Sequence, residues 1–514
     1  MRYPVVASVV VLLTSSPTFA QRAPDSPLLR PTHYDLSIPL DLDGQRMGAT
    51  ARIRLRNDTK YPVRNASLLL YRLLNVRAVR DSAGVPRDFS QRVVAFEDFG
   101  KLQANHIQVP LVPALVPGQE ITLEVEYGGH VLGYAETGML YVRDRIDTTY
   151  TMLRMDTYGY PQPGYPSMAT NRRAGLPEYD YTARITVPAS HTVANGGALV
   201  ERRETGVTVT YVYRSLKPSW RMDFAVARFT TLRAGDLSVF HLPEDSAGAH
   251  RILDAMSRTL KLYTRWFGPL RGSAAFAVIE IPDGWGSQAD VTSILQSAAA
   301  FRDPRRESEL YHEISHLWNA TSAEWPSPRW DEGLATFLED VTADSLSGTA
   351  TTDSSAMRVA RWLAGRLAKD SALRTVPLAD YGKREMTGYS YSVGSLMFYG
   401  LYRVVGHDVF RRIVGEYYRR HQTGGGSSAG FVQVAKDVSP MDLTAFFDDW
   451  LFSPRWGTVV TGAKQPADLY ERYRRSTRGF SSLAHLLGGP AVLAVHWRST
   501  SGRMPNSRAT SLTR

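Results

Sequence analysis

Cysteine does not occur anywhere in the 514 residues. Disulfide stapling is thereby excluded, and any bound metal must be held by histidine and carboxylate alone. Long apolar runs are also missing. Beyond the N-terminus no stretch reaches the roughly 18 unbroken apolar residues that a membrane-spanning helix needs. The formal net charge is +10, but from residue 470 onward eight arginines face Glu471 alone, which leaves the body close to neutral. That basicity belongs to a tail, and it gives no reason to expect a nucleic-acid partner for the folded body. There is no internal repeat of fixed period either, which argues against a solenoid.

What is present is an ordinary globular composition, 43% hydrophobic and 21% charged, on a chain too long for one hydrophobic core. Two or three domains are expected. The first twenty residues read as a secretory signal. Arg2 gives a positive start, Val5 to Leu13 a short apolar run, and Thr18-Phe19-Ala20 small residues at a cleavage position before Gln21. Export to a periplasmic or extracellular location follows, with no transmembrane segment left in the mature chain.

From about Thr32 to Phe229 apolar and polar residues alternate between turn signals, as in Tyr34–Ile38, Ala51–Leu55, Ile121–Tyr127 and Val207–Tyr213. Such alternation predicts antiparallel strands with one face buried. Residues 21–236 are therefore read as an all-β saddle or sandwich. After about Asp236 the spacing becomes helical, with Ile252, Leu253, Met256, Leu260 and Tyr263 on one face. A strand over Ala274–Ile281 and helices near Ala356–Leu367 and Ser392–Val405 follow. A last helix is predicted to begin near Ser439-Pro440 and to run through Phe446, Phe447, Trp450 and Leu451. Residues 237–464 form the expected second domain, and 465–514 a basic, poorly ordered tail.

The chemistry concentrates in His312-Glu313-Ile314-Ser315-His316. Two histidines four apart on a helix lie one turn above the other and can reach one tetrahedral ion at about 2.0–2.1 Å. Glu313, one step on, lies beside the metal, where it can hold and deprotonate a water. A third ligand is needed, and Glu332 in Trp330-Asp331-Glu332-Gly333 supplies a carboxylate sixteen positions past His316. Glu339, two turns further on the same face, is placed to hydrogen-bond a ligand histidine. The competing reading of these carboxylates is a solvated helix face. Two histidines and one carboxylate favour a single Zn2+ over other divalent metals.

His312 to Trp318 followed by Trp330 to Gly333 resembles the gluzincin metallopeptidases of the aminopeptidase N type, which read H-E-x-x-H-x-W and then W-x-N-E-G. His33 to Leu36, Val193 to Gly196 and Phe224 to Phe229 are similar to that family's N-terminal β domain, and Phe447 to Leu451 to the end of its thermolysin-like domain. The resemblance implies a multidomain chain: a β saddle, then a thermolysin-like α+β catalytic domain, with the site in the groove between. Two departures stand out. Fifteen residues separate His316 from Glu332 where the family usually has eighteen, and Asp331 replaces asparagine.

The family places an oxyanion-stabilising tyrosine in Y-x-K-G. Tyr391-Ser-Val-Gly394 matches it except for Val393, so Tyr391 is the implied donor, with neighbouring Tyr389 or a core role for Tyr391 as the alternatives. The family's amine-binding G-A-M-E-N is absent. Counting from Pro282-Asp283, Asp290 stands where its glutamate would, able to pair with a substrate ammonium or to be an exposed loop carboxylate. The expected function is zinc-dependent hydrolysis of peptide or protein substrates from the N-terminus. An endopeptidase of the same fold, or a peptide-binding module without turnover, is the alternative.

Overall fold

A computed structural model describes residues 28–474, apart from 134–142, 175–176, 273–274 and positions 286, 321, 325, 385 and 424. The proposed signal segment and the end of the basic tail lie outside the described residues. An N-terminal region of sheets precedes a helical region, as the alternation and the later helical spacing require.

A seven-stranded sheet runs in the order Ala198–Thr205, Thr208–Arg214, Asp180–Pro188, Arg30–Asp41, Arg46–Arg56, Glu120–His130 and Leu74–Asp81. All its neighbours are antiparallel except Arg30–Asp41 with Asp180–Pro188. Period-two burial puts Leu36, Ile38, Ala51, Ile53, Leu123 and Val125 inside. A four-stranded sheet built on Val63–Tyr71 and Phe99–Leu115 closes over that face, and Leu68, Leu70, Ile107 and Val109 share one core with it. Together they form the sandwich.

A further, five-stranded sheet is mixed, in the order Thr230–Ala234, Leu237–His241, Phe276–Ile281, Ser293–Ser297 and Gln288–Ala289, its three central strands parallel and both edge strands antiparallel. Thr230–Ala234 pairs with Leu237–His241, so this sheet already takes in residues that lie ahead of the expected boundary at 237. One face of this sheet, with Val239, Val278 and Ile294, packs on the long helix Ser246–Phe267 through Ile252, Met256 and Tyr263. The other face, with Phe240, Ile279 and Leu295, packs on Met152, Ala225 and Ala227 of the three-stranded sheet Thr192–Ala194, Phe224–Ala227, Thr151–Leu153. The sheet-rich region and the helical region thus share an apolar seam.

Helices follow in chain order. We number α1 (Met168–Ala174), α2 (Ser246–Phe267), α3 (Ala298–Arg302), α4 (Ser308–Ser315), α5 (Trp330–Ser347), α6 (Thr352–Leu367), α7 (Ser390–Val405), α8 (His407–His421), α9 (Ser428–Val438), α10 (Thr444–Trp450) and α11 (Trp456–Gly462). Ser439-Pro440 does not begin the last long helix as the sequence suggested. Ser439 is the extended residue that ends α9, and α10 starts at Thr444, whose N–H is accepted by Asp442 Oδ1 at 2.9 Å. The ordered fold also passes the expected limit of 464. Leu469 and Tyr473 are buried, and the Tyr473 ring lies 5.1 Å from that of Phe446. Among the described residues, no helix is long and apolar enough to cross a membrane.

α5 and α7 cross so closely that only glycine fits at the contact. A Cβ on Gly333 would lie 2.4 Å from Gly394 Cα and 2.7 Å from Ser390 O. Gly333→Ala should therefore lower the unfolding free energy by about 1–3 kcal/mol through overpacking. Gly365→Ala in α6, where a Cβ meets nothing within 4 Å, should raise it by up to about 1 kcal/mol. Denaturant midpoints of the two variants should move in opposite directions.

Candidate active site

α4 carries the histidines because its other face is core. Leu310, Tyr311, Ile314 and Ser315 are buried, which turns His312, Glu313 and His316 toward the groove. His316 sits at the end of α4, where the chain tightens into a 3-10 turn through Trp318. Trp318 is buried and donates its indole N–H to Gly268 O at 2.9 Å, and its ring packs on Tyr263 of α2. The Tyr263 hydroxyl reaches Tyr311 O at 3.2 Å, so α2 fixes the position of α4.

α5 brings Glu332 to these histidines from its first turn. Its Oε2 lies 3.4 Å from His312 Nε2 and 3.4 Å from His316 Nε2. Ligands about 2.0–2.1 Å from a tetrahedral ion stand roughly 3.3–3.4 Å apart, so this spacing fits zinc. The three ligand atoms all lie within 4.8 Å of one another, and among the described residues theirs is the one such group of three. His316 Nε2 and Glu313 Oε2 are buried with no hydrogen-bond partner. Buried polar atoms are rarely left so, and these two border the place an ion and its water would fill. The fifteen-residue interval between His316 and Glu332 has not displaced either helix.

The ligands are themselves held. Glu339 Oε2 stands 3.8 Å from His312 Nδ1, while its Oε1 accepts from Ser308 Oγ at 2.7 Å. The Asn319 amide lies 2.8 Å from His316 Nδ1, a partner that sequence reading missed. The facing atom is the amide nitrogen Nδ2; with the amide turned over, its carbonyl oxygen would accept the Nδ1–H and leave Nε2 for a metal. Burial would lower the His312 pKa, but Glu332, Glu313 and Glu339 outweigh it and push it up to about 9. Burial raises Glu313. Glu332 is held well below the usual carboxylate range, because Arg329 and the two histidines overcome its burial.

Arg329 was also missed. Counted back from Glu332, the tryptophan of W-x-N-E-G falls at position 329, so Trp330 is one place late and Arg329 stands in its stead. It caps α5 in the left-handed region at φ 57° and donates from Nη2 to Glu332 Oε1 and, at 3.4 Å, to the Tyr391 hydroxyl. Tyr391, in the first turn of α7, lies parallel to the His312 ring with centroids 6.2 Å apart. Tyr389 is turned away: its hydroxyl accepts from Arg366 at 2.7 Å and its ring packs near Trp362.

Asp290 is not brought among the ligands. It follows the edge strand Gln288–Ala289 and accepts from Ser219 Oγ of the β region at 2.6 Å. Burial pushes its pKa up to about 6, and Arg221 and Lys217 are near enough to act on its charge or be acted on by it. Beside it, Gln288 Oε1 accepts from Arg154 at 3.0 Å and from Arg221 at 2.8 Å, both arginines being buried in the β region. Arg154 also pairs with Asp144, and Arg221 with Asp156 and Asp223. This network ties the edge strand to the sandwich.

Residues 292–450 match the Peptidase family M1 domain. The match puts a peptidase M1 domain at the site just described. A search of curated proteins finds no match. Among solved structures, an M1 zinc metallopeptidase from Deinococcus radiodurans is 20% identical with a TM-score of 0.61, over 84% of this chain and 95% of that one. A mutant of the same enzyme bound to a Tyr-Ser-Ala substrate is 20% identical with a TM-score of 0.60, over 84% and 97%. These likenesses carry the fold, sheet-rich region and helical region together.

If Glu339 and Asn319 orient the ligand imidazoles, Glu339→Ala and Asn319→Ala should each weaken zinc binding by about 10- to 100-fold. Competition with a chromogenic chelator measures this, and unchanged affinity in both would remove their assigned role.

Proposed function

We propose that the protein is a zinc-dependent metallopeptidase that hydrolyses short peptides, acting as an aminopeptidase. The observation that carries this reading is the convergence of His312, His316 and Glu332 at tetrahedral spacing, with the partnerless carboxylate oxygen of Glu313 beside them. His312 Nε2, His316 Nε2 and Glu332 Oε2 would hold the metal. Zinc, when bound, supplies Lewis acidity toward the scissile carbonyl and acidifies water. Glu313 takes the proton from the attacking water and passes it to the leaving amine. Burial raises its pKa, which suits a group that both accepts and returns a proton. Tyr391 donates its hydroxyl hydrogen to the developing oxyanion.

The Tyr-Ser-Ala bound in the Deinococcus radiodurans structure supports a peptide of this size as substrate. The aminopeptidase version rests on Asp290 pairing with a substrate ammonium. Its hydroxyl partner Ser219 and the nearby Lys217 favour a second reading, cleavage within the peptide, because they occupy or offset that carboxylate. Export is part of the proposal and rests on the N-terminal segment, with Gln21 as the mature start.

Glu313→Gln should keep one zinc per chain and lose about 10²- to 10⁴-fold in kcat. Peptides with free N-termini should lose single residues in mass spectra while acetylated ones stay intact. Cleavage of acetylated peptides would replace the aminopeptidase by the endopeptidase, and a wild-type protein that cleaves neither set would leave a binding module.

A further inference from the structure

Nothing in the two-histidine motif accounts for Arg329. It is buried, and it is one of three residues other than glycine with positive φ among those described. Such backbone costs on the order of 1–3 kcal/mol and persists where surrounding structure enforces it. Here Ser327 Oγ accepts from Arg329 N at 3.1 Å, and Arg329 O accepts from Glu332 N at 3.2 Å. The strain aims the side chain inward, beneath the metal ligand and the tyrosine.

A guanidinium has five hydrogens to donate and no acceptor. Nη2 carries two of them, and this one nitrogen reaches both Glu332 Oε1 and Tyr391 Oη. Toward Arg329 the phenol oxygen can therefore only accept. Its own hydrogen must point elsewhere, and the ring stands beside the candidate ligand His312, parallel to it with centroids 6.2 Å apart. The same nitrogen occupies one oxygen of Glu332 and leaves Oε2 between the two imidazoles.

Resting on the role of Tyr391 given above, we propose that Arg329 is a positioning residue for the oxyanion. It fixes the direction of the Tyr391 O–H toward the carbonyl oxygen being converted and restricts Glu332 to ligation through one oxygen. Its positive charge, buried behind the phenol, also makes that hydroxyl a stronger donor as negative charge develops.

The test uses the zinc-loaded full chain and the peptide it cleaves fastest. Arg329→Gly relieves the positive-φ strain but removes a buried partner of Glu332, so in the zinc-loaded form it should fold, with a lowered melting temperature allowed, and retain one zinc by elemental analysis. Its kcat should fall about 10- to 100-fold with KM little changed, as removing a transition-state interaction demands. Guanidinium ion added at low millimolar concentration should restore part of that loss in Arg329→Gly and none in Tyr391→Phe. Arg329→Lys, which keeps charge without the fork, should fall between wild type and Arg329→Gly. The double variant Arg329→Gly with Tyr391→Phe should be no slower than Tyr391→Phe alone. A lowered kcat in Tyr391→Phe with wild-type kcat in Arg329→Gly overturns the inference and leaves Tyr391 standing. So do loss of zinc from Arg329→Gly or multiplicative losses in the double variant. Wild-type kcat in Tyr391→Phe overturns the role of Tyr391, and this inference with it.

Discussion

Glu332 Oε2 is shared, at 3.4 Å each, by two imidazole nitrogens on another helix, and every other feature of the site follows from the need to hold it there. A buried carboxylate is strongly disfavoured without cations or donors around it. Here Arg329 grips its second oxygen, and the start of α5 adds the positive end of a helix dipole. α4 is fixed by Trp318 and Tyr263, α5 by its glycine contact with α7, and that contact in turn sets where Tyr391 stands. The candidate ligands, the proposed base and the proposed oxyanion donor are thus placed by three closely packed helices.

Much of this arrangement could be read from the chain because it is local. His312 and His316 obey the four-residue period of one helix, and Glu332 and Glu339 share a face of the next. The groups that escaped notice are set by three-dimensional context. Asn319 meets His316 only because the chain tightens after Ser315, and Arg329 matters only because its backbone turns left-handed and α7 crosses above it. No periodicity announces either. The Ser439-Pro440 signal misled for a related reason: a serine-proline pair suits a helix end as well as a helix start, and the neighbours decide.

The boundary at 236 failed because Thr230–Ala234 reads like its predecessors, a short alternating strand, yet hydrogen-bonds into the five-stranded sheet. Strand pattern reports burial on one face, not which sheet the strand joins. The charged seam around Arg154 and Arg221 was invisible for a stronger reason. Its members come from 144–157, 221–223 and 285–290, three segments that the sequence alone gives no cause to associate.

That seam has a consequence for how the molecule can diversify. The candidate ligands, the proposed base and Tyr391 all lie between 312 and 391, within one half of the chain. The edge strand that borders this half is steered by arginines of the other half, which meet on the single oxygen of Gln288. Substitutions in the β region can therefore tilt or shift that edge strand while the candidate metal-binding cluster stays untouched. The edge strand and the histidine cluster can thus vary separately, the strand being tied to the sandwich at one glutamine.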